Sequence, residues 1–235
     1  MRQRRVRCDR GLADQDLSWL EALFATSTHA IVEPELDRVM DLSFLWSQVA
    51  GGQDAFSGWT RQLVTSGRRY AGTRLRRPFA DCDAELKRFL LADDQLVLRQ
   101  TRDWLAERLV PLLRRAGSSG AFGIDAFVFR DALGQLKIRP LVELNPRLTM
   151  GHIALQIQQQ LAPAVRGEFR IYTQSEWRQV SSAFAEIELA VANDGRWQSG
   201  VIRLTDKDED AHLVPAVLVG EAALSVKLQD SSGRR

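Results

Sequence analysis

GIDAFVFRDALGQLKIRPLVELNPRLTM, residues 123–150, decides how this chain is read. Side chains alternate across a strand, so Glu143 and Asn145 point to one face while Leu144 turns to the other. Two hard oxygen donors then share a face, and Asp125 on the preceding strand supplies a second carboxylate. Magnesium suits such a set: it takes one or two protein carboxylates and fills its other positions with water and phosphate oxygens. Between the strands, Asp131 to Gly134 has turn chemistry, Asp bonding its own backbone and Gly accepting positive φ. The stretch is therefore predicted to be an antiparallel hairpin. Closure at Arg130 and Gln135 would set Asp125 opposite Pro140 and turn Glu143 to the wrong face. A shared metal thus requires a one-residue correction, and Pro140, which cannot donate to a ladder, predicts a β-bulge between Lys137 and Leu141. Taken singly, each of these polar residues is more often solvated or ion-paired.

Working outward, Ile31-Val32 and Leu42–Trp46 are short apolar or alternating runs separated by a polar stretch with Pro34, which predicts two strands with a tight connection. Asp14 to Ala25 carries Leu17, Leu20 and Phe24 at helical spacing, with Asp14 or Asp16 as cap. Gly51 to Pro78, polar and rich in Gly and Arg, is expected to contain long loops. Asp81 and Asp93 are candidate helix caps, and Leu96 to Arg115 predicts an amphipathic helix ending at Gly117, with Pro111 able to kink it. A helix from about Thr149 to Leu161 follows. Strands are expected at 169–172, 187–192, 200–204 and 213–219, with a short helical piece from Ser175. The organisation expected is a first domain over 1–165 and an appended β-rich subdomain over 166–235, within an α+β fold.

The composition is that of an ordinary globular protein, 45% hydrophobic and 26% charged over 235 residues. No apolar run approaches the roughly 20 residues that span a bilayer, and MRQRRVR is followed by GLADQDLSWL, not by the apolar core of a secretory signal. Two cysteines, Cys8 and Cys82, without metal-ligand spacing fit reduced thiols in the cytoplasm. Of the 32 basic residues only Lys87, Lys137, Lys207 and Lys227 are lysine. The surface is thus rich in planar donors for carboxylate and phosphate, densest at Arg68, Arg69, Arg74, Arg76 and Arg77. A net charge of +2 argues against a general nucleic-acid binder. His29, His152 and His212 are scattered, which disfavours a histidine metal site or a Ser-His-Asp triad.

GIDAFVFRD (123–131) followed by LVELNPRLTMG (141–151) resembles the last two sheet strands of the ATP-grasp superfamily, and IVEPELDRVMDLSFLW (31–46) resembles the strand, hinge and strand that line adenine and ribose there. The resemblance implies an ATP-grasp C-terminal lobe, a mainly antiparallel sheet flanked by helices. It implies that Asp125, Glu143 and Asn145 hold Mg2+ against ATP phosphates, that Glu33, Pro34, Glu35 and Leu36 form the adenine hinge, and that Asp41 meets the ribose hydroxyls. The implied activity is activation of a carboxylate as an acyl phosphate, followed by attack of an amine or thiol. Two departures accompany it. The lysine and Gly/Ser-rich loop of the first lobe are not found; Arg2–Arg7 resembles the strand after that loop, so the resemblance implies a chain that begins just beyond it. Gly123 stands where many members carry an arginine, and the candidates for that role are Arg147 and Arg74. The alternatives are a catalytically inactive lobe that binds nucleotide or partners, and a nucleic-acid module built on Arg68–Arg77 with Trp59 and Tyr70. Homodimerisation is left open.

Overall fold

A computed structural model of the chain describes residue 6 and residues 11–48, 54–205 and 212–225. The basic stretch Arg2–Arg7 lies outside these, except for Val6. Two compact units divide the chain, Met1–Asp37 and Arg38–Arg235. In the first, helix α1 (Asp14–Phe24) starts with Asp16 accepting the Ala13 amide at 3.3 Å, and residues 27–36 form no helix or strand. Ile31 and Val32 are 78% and 90% exposed, so the strand expected there is absent. A single strand, β1 (Asp37–Gln48), replaces the two predicted. The alternation from Val39 to Trp46 is long enough to run uninterrupted once its neighbours bury it on both faces.

The second unit is built on a nine-stranded sheet in the order β5-β4-β1-β2-β3-β6-β9-β8-β7. The segment expected as loops instead forms β2 (Asp54–Val64) and β3 (Tyr70–Leu75), antiparallel to each other. Arg61 and Gln62 looked like loop residues because each is held by a tertiary partner that sequence spacing does not show. Helix α2 (Ala84–Arg115) is capped by Asp83, which accepts the Leu86 amide at 2.8 Å. Neither Asp81 nor Asp93 serves as its cap: Asp81 is ion-paired, and Ala92–Gln95 leave helical geometry, with Asp93, Asp94 and Gln95 at positive φ. The helix ends in a Schellman motif, Ser118 and Gly117 donating to Leu113 and Arg114, with Gly117 at φ 73°. Its apolar face covers one side of the sheet, with Leu90, Leu98 and Leu105 packed against Leu42, Phe44, Ile124 and Val128, all fully buried.

Strands β4 (Phe122–Arg130) and β5 (Leu136–Asn145) form the expected hairpin. Next come α3 (Met150–Ile157) and a 3-10 turn, Gln158–Gln160, where a single helix was expected. Beyond them lie β6 (Gly167–Thr173), α4 (Gln174–Ala185), β7 (Ala190–Val191), β8 (Trp197–Arg203), β9 (Leu213–Val219) and α5 (Gly220–Ser225). These late strands extend the same sheet, because β3 pairs with β6 from Gly72↔Arg170 to Leu75↔Gly167. The sheet shows no break near residue 165. The architecture is thus α+β, a large and mainly antiparallel sheet flanked by helices.

Candidate functional site

The β4–β5 hairpin closes one residue later than expected. Asp131 and Gln135 flank a three-residue loop in which Asp131 Oδ1 accepts the amides of Leu133 and Gln135, and Gly134 takes φ 75°. The first ladder pair is then Arg130↔Leu136, and the register continues to Phe127↔Arg139. Between Phe127 and Asp125 it shifts: one residue of β4, Ala126, stands against Pro140, Leu141 and Val142 of β5. The irregularity lies at Pro140 as the missing donor predicts, but it spans two extra residues and reaches past Leu141. Asp125 now stands directly opposite Glu143, and Gly123 opposite Asn145. Directly opposed residues present their side chains to the same face, so the three candidate donors share one side of the sheet.

That side is opposite α2. On β1, Met40, Leu42, Phe44 and Trp46 pack with α2, which leaves Asp41 and Ser43 on the Asp125 side. Gln62 donates to Asp125 Oδ1 at 2.8 Å, Asn145 Nδ2 donates to Asp125 Oδ2 at 3.3 Å, and the Ser43 hydroxyl also bonds this carboxylate. Burial raises the Asp125 carboxyl above its ordinary value; the bonds from Ser43 and Gln62 oppose that, and the carboxylates of Glu143 and Asp41 add to it. Next to Gln62, Thr73 pairs across β2–β3 and bonds the Tyr70 hydroxyl at 2.7 Å. Burial pushes Tyr70 up to about 12, with the Asp125 charge acting in the same direction. Sequence reading missed Ser43, Gln62 and Thr73 and gave Tyr70 only to the nucleic-acid alternative; the alternation of β2 and β3 was the available signal, and Gly58, Arg61 and Gly72 blurred it.

Helix α3 begins just beyond Asn145. His152, buried at its first turn, accepts the Thr149 amide on Nδ1 at 3.2 Å, and its Nε2 lies 3.0 Å from the Trp46 carbonyl. Nδ1 is therefore the acceptor and Nε2 carries the proton. His152 is structural, joining α3 to β1. A Cβ at Gly123 would meet Thr149 Cγ2 at 3.0 Å and Leu45 Cδ2 at 3.2 Å, so a larger side chain there requires these neighbours to shift. Arg147 lies in the link between β5 and α3, exposed, with its amide donating to Asn145 and Nη1 to the Leu148 carbonyl.

Arg74 lies elsewhere. It is on β3, not in a loop, and as the neighbour of Thr73 it points away from Asp125. There it pairs with Asp81 at 3.0 Å and with buried Glu168. Asp41 is on the site face, ion-paired with Arg38, whose guanidinium lies 4.1 Å from the Phe127 ring centre. Glu33–Leu36 fall in the first unit and adopt no regular structure. Among the described residues no group of three or more His, Cys, Asp or Glu is arranged to hold a metal. The candidate set has two carboxylates, within the one or two that magnesium ordinarily takes from a protein, and one amide beside them.

Solved structures with a similar fold include two carboxyaminoimidazole synthetases and a pyruvate carboxylase. An N5-carboxyaminoimidazole synthetase from Staphylococcus aureus complexed with ADP aligns at 14% identity over 89% of this chain and 53% of its own, with a TM-score of 0.47. An ADP complex of N5-carboxyaminoimidazole ribonucleotide synthetase aligns at 12% over 91% and 54%, TM-score 0.49. A Rhizobium etli pyruvate carboxylase with acetyl coenzyme-A aligns at 12% over 89% and 21%, TM-score 0.47. This chain spans about half the length of the two synthetases. No protein-family model and no curated protein matches the sequence. No helix among the described residues is long and apolar enough to cross a membrane.

Proposed function

We propose that this chain forms the metal- and phosphate-holding wall of an ATP-grasp nucleotide site, in a protein that ligates a carboxylate to an amine or thiol at the expense of ATP. The observation that carries this reading is the Asp125↔Glu143 pairing with Asn145 on the same face. The carboxylates of Glu143 and Asp41 act on Asp125 on that face, and among the described residues only Asp41 of the three has a cationic partner. A divalent cation between Asp125 and Glu143 would relieve this repulsion, and Asn145 Oδ1 is left to join it because Nδ2 is the atom bonded to Asp125. Bound there, the metal would supply charge neutralisation at phosphate oxygens.

The protein groups have separable roles in this reading. Gln62 and Ser43 fix the orientation of Asp125 and leave Glu143, which is exposed, to meet the metal from outside. Arg147, one residue past Pro146, is placed to turn its guanidinium from the Leu148 carbonyl toward a phosphate on the same face. It takes the cationic role that Gly123 cannot fill. Arg74 does not serve, being held on the other face by Asp81 and Glu168. The ribose hydroxyls would be met by Asp41, which is ion-paired with Arg38. Asp125, Glu143 and Asn145 need no protein nucleophile beside them, since positioning and electrostatics carry phosphoryl transfer. The second reading is a lobe that binds nucleotide without turnover.

Mn2+ binding, followed by electron paramagnetic resonance on the full chain with and without ADP, tests the proposal. The expected result is Mn2+ binding strengthened by ADP and weakened at least about tenfold by Glu143→Gln, with thermal unfolding unchanged. Equal Mn2+ binding by both proteins, indifferent to ADP, would overturn it. If ADP release from ATP is absent while binding behaves as expected, the second reading holds.

A further inference from the structure

Two successive arginines just after β3, Arg76 and Arg77, hold φ of 51° and 38°. Side chains larger than glycine rarely adopt these angles, and the residue before a proline, here Arg77 before Pro78, is ordinarily extended. Such strain persists only where surrounding structure enforces it, and it concentrates where a side chain must be aimed. Here the enforcement is visible: the Arg76 amide donates to Gln158 Oε1 at 3.3 Å and its Nε to the Gln158 carbonyl at 3.0 Å. Both arginines line a cavity of about 390 Å³ together with Trp59, Arg74, Gln158 and Pro163.

The charge of this cavity is one-sided. No acidic residue lines it. Arg74 is offset by Asp81 and Glu168 beyond its wall, yet its Nε is buried without a partner. Among the described residues nothing engages the exposed Arg77 guanidinium, so its donors are free for a ligand. Guanidinium pairs with phosphate and carboxylate oxygens two at a time, and Trp59 with the neighbouring prolines offers a flat apolar wall. The volume is that of an ordinary small-molecule site.

We propose that this cavity binds a small organic oxyanion, a phosphate or carboxylate on a flat apolar body, through residues other than Asp125, Glu143 and Asn145. Arg77 and the Nη atoms of Arg76 receive the oxyanion, and Trp59 receives the body. Arg74 faces away from Asp125, while Thr60, opposite Ser43, forms the part of the lining on the Asp125 side.

The test titrates the full chain with phenyl phosphate, benzoate and inorganic phosphate in EDTA, so that no metal-dependent site contributes, and reads binding by calorimetry. Phenyl phosphate or benzoate is expected to bind more tightly than inorganic phosphate, and the stronger of the two names the anion. Arg77→Gln, a change at an exposed side chain, is expected to weaken that binding at least about tenfold. Binding unchanged by Arg77→Gln, or no preference for the aromatic compounds, or no binding at all, would overturn the proposal. Because EDTA removes any metal, these results are independent of the nucleotide reading.

Discussion

Thr149 packs tightly against Gly123: a Cβ there would lie 3.0 Å from Thr149 Cγ2. The residue that ends the β5–α3 link thus crowds a residue on β4. The close approach lets α3 begin directly over the sheet, beside the Asp125 face.

Gly123→Ala is therefore expected to destabilise the protein by about 1 kcal/mol, the ordinary cost of overpacking. Thr149→Ser removes the offending methyl and keeps the hydroxyl that lies 3.0 Å from His152 Nδ1. In the double variant the loss should be smaller than the sum of the single losses, read from urea unfolding as a coupling between the two positions. Strict additivity would show that the contact does not matter.

His152 holds α3 to β1 through two buried hydrogen bonds. His152→Ala leaves the Trp46 carbonyl and the Thr149 amide unpaired and is expected to cost about 3 kcal/mol in urea unfolding. A loss under about 1 kcal/mol would indicate that water replaces the ring.

Asp125 carries a pH signature. Its folded carboxyl is raised above the ordinary 3.8, by burial first and then by Glu143 and Asp41. In the window above 3.8 the folded state binds the proton more strongly than the unfolded one, so this group's contribution to stability falls as pH rises through it. In metal-free buffer at pH 7, Asp125→Asn should unfold at a higher temperature than the parent, and the difference should vanish near pH 3. A lower unfolding temperature at pH 7 would contradict the repulsion inferred on this face.

The chain has two tyrosines, Tyr70 and Tyr172, and burial pushes both up to about 12. Absorbance at the tyrosinate band is expected to stay flat through the ordinary phenol value of about 10 while the protein is folded. In denaturant both should titrate near that value. Since the folded state favours the protonated phenols, stability should decline as pH rises from 10 towards 12. A single tyrosinate appearing below pH 10.5 in the folded protein would show that one ring is open to water.

What was legible in the sequence followed from local rules. Asp131 and Gly134 announced the hairpin turn, and Pro140 announced the ladder break. Alternation put Glu143 and Asn145 on one face. The size of the break was not legible, because it depends on how many residues of β5 must slip before its apolar side chains meet β4. Arg61, Gln62 and Arg74 disguised β2 and β3 as loops. Each is satisfied by a distant partner, Pro78, Asp125 and Glu168 respectively.

By itself the sequence determined which donors exist, that two of them share a strand face, and that Gly123 breaks the pattern of the resemblance. The tertiary structure alone decided that Asp125 stands across from Glu143, that Arg74 turns to the other face and that Gly123 packs tightly against Thr149. The physical reason is the same in each case. Strand register, sheet order and the seating of α3 are set by contacts between residues far apart in the chain, and a local pattern carries no record of those distances.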